Sequence, residues 1–252
     1  AEYVIKDVKK KEQRNRPKPP FRTSTLQQTA ANRLNFSAKK TMRIAQQLYE
    51  GVEIGSEGSV GLITYMRTDS YNIAGEALQS VRQLIQEKYG DQYLPENPNY
   101  YSSGKSAQEA HEAIRPTEVT RIPSEIKQYL SEDQFKLYSL IWNRFTGSQM
   151  TPARLSLTTV DIQAGRGIFR ANGRVVVFDG YTRLIKLSSG DQSQILPPLS
   201  KDEKLQLLKL DPSQHFTQPP PRYTEATLVR LLEKKGIGRP STYATIISTI
   251  QD

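Results

Sequence analysis

The 252-residue chain carries 35 Lys and Arg against 26 Asp and Glu, a formal net charge of +9, and 36% of its residues are hydrophobic. That apolar share sustains packed cores in one large or a few small domains, and the cationic excess favours a polyanionic partner such as nucleic acid. With no cysteine there is no disulfide framework, thiolate nucleophile or Cys-based zinc site, and no apolar run approaches the roughly 18 residues of a membrane span.

His111 and His215 stand far apart in the chain, which argues against an all-protein transition-metal site. No charged-then-apolar leader opens the sequence, so a soluble protein of the cytoplasm, without a membrane partner, is expected. The start at Ala1 and the uncapped apolar run "TIISTIQD" suggest a piece of a longer chain.

The opening "KDVKKKEQRNRPKPPF" is basic, proline-rich and poor in apolar residues, which reads as a solvated arm or as an extended segment beside phosphates. Helical patterning takes over at Ser24, where Ser24-x-x-Gln27 has the form of a capping box. Ser37 opens a second helix with Ala38, Met42, Ala45, Leu48 and Tyr49 on one face and Gly51 as its stop. Ile73, Ala77, Val81, Leu84 and Ile85 keep helical spacing up to Gly90, and "PENPNYYSSGKSAQ" reads as a loop. Ser131-x-x-Gln134 starts another helix carrying Phe135, Tyr138, Ile141, Trp142 and Phe145.

From Thr151 the period becomes that of strands: "ARLSLTTVDIQAG", "GIFRA", "RVVVFDGYTRLI" and "KLQLLKL" are β-rich, with Asn172-Gly173 as a hairpin signal. Prolines at 219–221 close this region before helical signals return in "TEATLVRLLEKKG" and "STYATIISTIQ". The order predicts an α+β, multi-domain fold with a helical block inserted between two halves of a β domain.

Three stretches carry chemistry. In "GLITYMRTDS", residues 61–70, an extended strand would point Tyr65, Arg67 and Asp69 to one side, with Ser70 following. Tyr65 is then either a structural strand residue, one of 13 tyrosines, or a nucleophile. A phenol ionises near pH 10, so a neighbouring guanidinium would have to favour phenolate and could also hold a phosphate oxygen. In "AHEAIRPT", residues 110–117, a helical turn would set His111 and Arg115 on one face beside Glu112, suited to a phosphate or to steering a proton. The alternative is a helix end with surface charges. "GIGRPSTYATII", residues 236–247, reads as a left-handed helix stop at Gly236 followed by a start capped by Ser241 or Thr242. With Arg239 alongside, this is either a phosphate site or a capped turn. No Asp-x-Asp pair or acidic cluster suited to magnesium occurs.

Together, and in this order, the three motifs resemble the type IA DNA topoisomerases, and the methionine of "TYMRTDS" points to the bacterial topoisomerase I branch. "PFRTSTLQQTAANRLNFSAKKTM" and "MTPARLSLTTVDI" are similar to the segments between, so the resemblance spans essentially the whole chain. It implies that Tyr65 cuts single-stranded or negatively supercoiled DNA, keeps the 5′ phosphate as phosphotyrosine and reseals without ATP. Under the same resemblance Arg67 positions Tyr65 and stabilises the phosphate, His111 acts at the scissile region, and Asp69 and Glu112 support the site. Arg115, Arg239, Ser241 and Thr242 are the implied DNA-binding residues.

The implied fold is a ring: an arch of residues 1–24 and 152–222, a tyrosine-bearing helical domain 25–151, and the start of a helical DNA-binding domain at 223–252. A monomer associated with a bacterial nucleoid is expected. The family also has an amino-terminal Toprim domain whose acidic residues bind Mg2+. No segment here resembles it, so the implied ligands lie outside these residues and none is expected to bind the ion. Two other readings stand beside this one. A non-catalytic single-strand-binding module would need only basic and aromatic residues. A tyrosine recombinase would need its tyrosine near the carboxy-terminal end, whereas Tyr65 lies early. The resemblance predicts that residues 1–252 alone leave negatively supercoiled plasmid unrelaxed in the presence of Mg2+; a ladder of relaxed topoisomers in an agarose gel would contradict it.

Overall fold

The computed structural model describes residues 1–102, 111–185 and 194–251. Its elements in chain order are β1 (Tyr3–Asn15), α1 (Thr23–Leu34), α2 (Ala38–Glu50), β2 (Val52–Glu53), β3 (Ser59–Val60), α3 (Gly75–Tyr89), α4 (Pro123–Ile126), α5 (Glu132–Ser148), β4 (Ala153–Ala164), β5 (Gly167–Phe178), β6 (Lys204–Leu205), α6 (Glu225–Lys235) and α7 (Tyr243–Gln251). The fold is therefore mixed helix and sheet. By contact the chain divides into a sheet unit, residues 1–16 and 152–221, and a helical unit, residues 17–151 and 222–252.

The sheet unit is antiparallel, in the order β5-β4-β1-β6. β1 pairs with β4 from Tyr3 opposite Ala164 to Asn15 opposite Ala153. Ile5, Leu155 and Val160 are fully buried, while the lysines of β1 face outward.

Two expectations for this region change. The tight turn falls at Gly165-Arg166, between β4 and β5, where Gly165 takes φ 56°. Asn172-Gly173 lies inside β5, and its glycine is needed for another reason: a Cβ there would stand 2.8 Å from Leu196 Cγ, on a segment that crosses the strand and bridges Gln194 to Arg174. "KLQLLKL" contributes only the two residues of β6, because Leu205 already pairs with Tyr3 and an antiparallel continuation runs off the start of β1. Leu207, Leu208 and Leu210 are accordingly exposed.

The helical unit follows the sequence signals more closely. Ser37 Oγ accepts from Lys40 N at the start of α2, and Gly51 closes that helix. Ser131 and Gln134 form the reciprocal capping box of α5, and α3 stops at Gly90. Tyr138, Ile141, Trp142 and Phe145 of α5 form one wall of the core, with Trp142 Nε1 donating to Val119 O at 2.8 Å. The start of α1 departs from expectation. It begins at Thr23, and Thr25 Oγ1 rather than Gln27 accepts the N–H of Arg22, at 3.1 Å. Ser24 already lies inside α1, and its hydroxyl donates to Glu233 Oε1 at 2.6 Å. Residues 103–108 of the expected loop lie outside the described residues.

No described helix is long and apolar enough to cross a membrane. Replacing Gly165 by valine forces a β-branched residue into the left-handed region and is expected to cost about 1–2 kcal/mol, read as a lowered urea midpoint with an unchanged slope.

Candidate active site

The three motifs meet in the helical unit, the first two through main-chain hydrogen bonds. "GLIT" and "AIRPT" run antiparallel: Ile63 bridges Pro116, Thr64 N donates to Arg115 O at 2.9 Å, and Thr117 N donates to Leu62 O at 3.0 Å. Thr64 Oγ1 reinforces the pairing, donating to Ala113 O at 2.7 Å and accepting from Arg115 N at 3.0 Å. On the other side of the second motif Ile114 bridges Phe21, just before α1.

Beyond Thr64 the strand partner is lost, and Tyr65 is not in a β-strand as expected. The alternation nevertheless continues: Tyr65 and Arg67 are exposed, whereas Met66, Thr68 and Ser70 are buried. Thr23 holds this register in place of a neighbouring strand. Its buried hydroxyl donates to Met66 O at 2.7 Å and accepts from Thr68 N at 2.9 Å, while its own N donates to Thr68 O at 2.9 Å.

The second motif is extended rather than helical, because Ile114 and Pro116 both take part in bridges, so His111 and Arg115 do not share a helix face. Glu112 Oε1 accepts from Ala74 N at 2.6 Å, at the start of α3, and its Oε2 binds Arg115 Nη2 at 2.7 Å. Arg115, with only 11% of its side chain exposed, also donates to Pro116 O at 2.9 Å. Glu112 and Arg115 thus form a clasp that ties the motif to α3.

The third motif is brought in by α6 and α7. Gly236 ends α6 in the left-handed conformation at φ 68°. Arg239 N then donates to Thr242 Oγ1 at 2.8 Å, so the Thr242 hydroxyl closes the turn that leads into α7. Glu233 fastens α6 to the start of α1, taking Arg22 Nη2 at 2.8 Å as well as Ser24. Glu225 Oε2 accepts from Ala38 N at 2.6 Å at the head of α2, and Ala38, Val229 and Ile247 form the apolar contact below.

One cleft of about 430 Å³ results, lined by Tyr65, Arg67, Thr68, Asp69, His111, Arg239, Pro240 and Ser241. Of the residues singled out in the sequence, it gathers Tyr65, Arg67, Asp69, His111, Arg239 and Ser241, while Glu112, Arg115 and Thr242 stand outside it. Thr68 and Pro240 fall within the quoted motifs without a reading of their own, and the positioning residues Arg22, Thr23 and Glu233 had no local signal, since each acts on a segment distant in sequence.

Two guanidiniums face one carboxylate in this cleft, and among the described residues Arg67 and Arg239 make no ion pair. An anion is the complement of such a lining. Tyr65, 44% exposed, offers its phenol to it. Nearby Tyr71 and Tyr243 are poorer nucleophile candidates. Burial pushes both phenols up, opposed in each case by Arg22, which makes the phenolate harder to form at either. For a divalent cation the lining is unsuitable: it has one carboxylate beside two cations, and no group of three or more His, Cys, Asp or Glu suited to a metal occurs among the described residues.

The family model described as DNA topoisomerase matches residues 1–252. The chain belongs to that family. It is 50% identical to DNA topoisomerase 1 of Rickettsia bellii, covering 99% of this chain and 32% of the relative. It is also 50% identical to DNA topoisomerase 1 of Vibrio cholerae, covering 100% and 28%. The full-length topoisomerase I of Thermotoga maritima superposes with a TM-score of 0.84 at 40% identity, covering 99% of this chain and 40% of that one. The chain thus spans about a third of the length of the curated relatives it matches.

Thr23→Val removes the hydroxyl that satisfies Thr68 N and Met66 O in a dry site. It is expected to lower the unfolding free energy by about 1–3 kcal/mol, measured by urea denaturation.

Proposed function

We propose that this chain is the tyrosine-bearing part of a type IA DNA topoisomerase, and that Tyr65 is its nucleophile. The observation that carries the reading is the convergence, on one cationic cleft, of an exposed tyrosine, two arginines without ion pairs among the described residues, and a histidine, drawn from three distant motifs.

In this reading Tyr65 Oη attacks the scissile phosphorus of a single DNA strand. The Oη–P bond forms as the bond from phosphorus to the 3′ oxygen breaks; the phenolic proton is given up and the departing oxygen leaves as a 3′ hydroxyl. One phosphodiester is exchanged for one phosphotyrosine on the 5′ phosphate, so the reverse attack reseals the strand without ATP. Arg67 and Arg239 stabilise the extra negative charge as it develops on the phosphoryl oxygens. His111 is placed to interact at the scissile phosphate, Asp69 to orient the cationic groups, and Ser241 to hold a neighbouring phosphate. Glu112 and Arg115 support the site by fixing the second motif, and Thr242 by shaping the turn that presents Arg239.

The domain reading goes with this function: an arch of 1–24 and 152–222, a tyrosine domain of 25–151, and a DNA-binding domain opening at 223–252. The continuous sheet within residues 1–16 and 152–221 supports the first of these. In the complete enzyme the substrate is negatively supercoiled DNA with single-stranded character, the protein works as a monomer at the nucleoid, and Mg2+ is held by residues beyond those described. The basic balance of +9 supports a DNA partner. A non-catalytic single-strand-binding role is the second reading, favoured only by that charge.

Tyr65→Phe in a complete enzyme containing this chain is expected to abolish the covalent adduct with single-stranded DNA while leaving affinity for the strand within about threefold, because phosphate contacts dominate binding. Adduct formation by the variant, followed by denaturing gel electrophoresis of end-labelled DNA, would refute the assignment.

A further inference from the structure

Tyr49, on the last turn of α2, has no part in the motifs, yet its ring meets that of Tyr65 with centroids 5.4 Å apart and planes at 66°, an edge contact. The backbone enforces the meeting. Leu62 N donates to Leu48 O at 2.7 Å, and a Cβ on Gly61 would lie 2.7 Å from Tyr49 O, so only glycine lets the first motif approach this turn so closely. The detour between them is closed by the β2–β3 pair, where Val52 lies opposite Val60.

Both rings are partly open to solvent, 40% exposed for Tyr49 and 44% for Tyr65. Among the described residues neither hydroxyl makes a hydrogen bond. The side chain of Tyr65 is therefore held by ring contact rather than by a polar partner. A half-exposed tyrosine free to change rotamer would spend part of its time turned from the cleft, whereas a reacting oxygen must be kept in line with its target.

We infer that Tyr49 is a positioning residue for the reaction, its aromatic ring holding the Tyr65 phenol toward the cleft. The inference rests on Tyr65 being the nucleophile. The ring, not the hydroxyl, does this, so phenylalanine substitutes for Tyr49 and an aliphatic residue does not.

The test uses the complete enzyme and single-turnover adduct formation at saturating single-stranded DNA, with affinity measured separately. Tyr49→Leu is expected to slow adduct formation about tenfold with affinity changed less than about twofold, and Tyr49→Phe to keep the wild-type rate. Gly61→Ala, which displaces the α2 turn while keeping both rings, is expected to slow the same step. A wild-type rate in Tyr49→Leu, or an equal loss in Tyr49→Phe, would overturn the inference. So would a loss confined to affinity, since that would make Tyr49 a DNA contact. Tyr65→Phe separates the two levels: if the wild-type enzyme forms no adduct at Tyr65, the functional reading fails. If the adduct forms and the Tyr49 variants leave its rate unchanged, only the role of Tyr49 falls.

Discussion

The short antiparallel pairing of Leu62–Thr64 with Ala113–Thr117 is the constraint on which the cleft depends. It joins two motifs nearly fifty residues apart, as the Thr64 hydroxyl contact to Ala113 records, and it sets the alternation that follows. A one-residue slip would turn Met66 and Thr68 outward and bury Tyr65 and Arg67, charge included. The pairing ends just before Tyr65, so the tyrosine leaves the ladder with its facing already decided. Thr23 then extends that decision to Thr68 by taking the place of a missing strand.

The distribution of carboxylates explains why this cleft is cationic. Glu112 is engaged by Arg115 and the Ala74 amide, Glu233 by Arg22 and Ser24, and Glu225 by the amide of Ala38. Each of these acids works as a fastener between segments. Asp69 is the one carboxylate in the lining, so Arg67 and Arg239 keep their charge available for an anion. The same acids that assemble the cleft are thereby kept away from its floor. Positioning and electrostatics are coupled: loosening Glu233 from Arg22 would disturb the approach of the Arg239 segment and leave a partly buried cation uncompensated.

Much of this was legible in the sequence where a rule is local. Ser37 with Gly51, and Ser131 with Gln134, mark their helices because caps act within a turn. The alternation around Tyr65 was readable in advance, though not its cause, since the buried Thr23 that maintains it is remote in sequence. The same limit explains the departures. Ser24 looked like a cap and serves Glu233; His111 and Arg115 had helical spacing but occupy an extended segment held by Phe21 and Ile63. Asn172-Gly173 had hairpin chemistry, but its glycine serves a close crossing by Leu196. In each case a tertiary partner overrode a local preference. Tyr49 was readable only as part of a helix face, because nothing local predicts that its turn and Gly61 come into contact.

The central claim is that Tyr65 forms the covalent bond, and the bond itself can be located. Single-stranded DNA trapped on the complete enzyme, digested with protease and nuclease and sequenced by tandem mass spectrometry, should place a nucleotide 5′ phosphate on the peptide containing Tyr65. A phosphate on another tyrosine, or attachment through the 3′ end of the strand, would contradict the account.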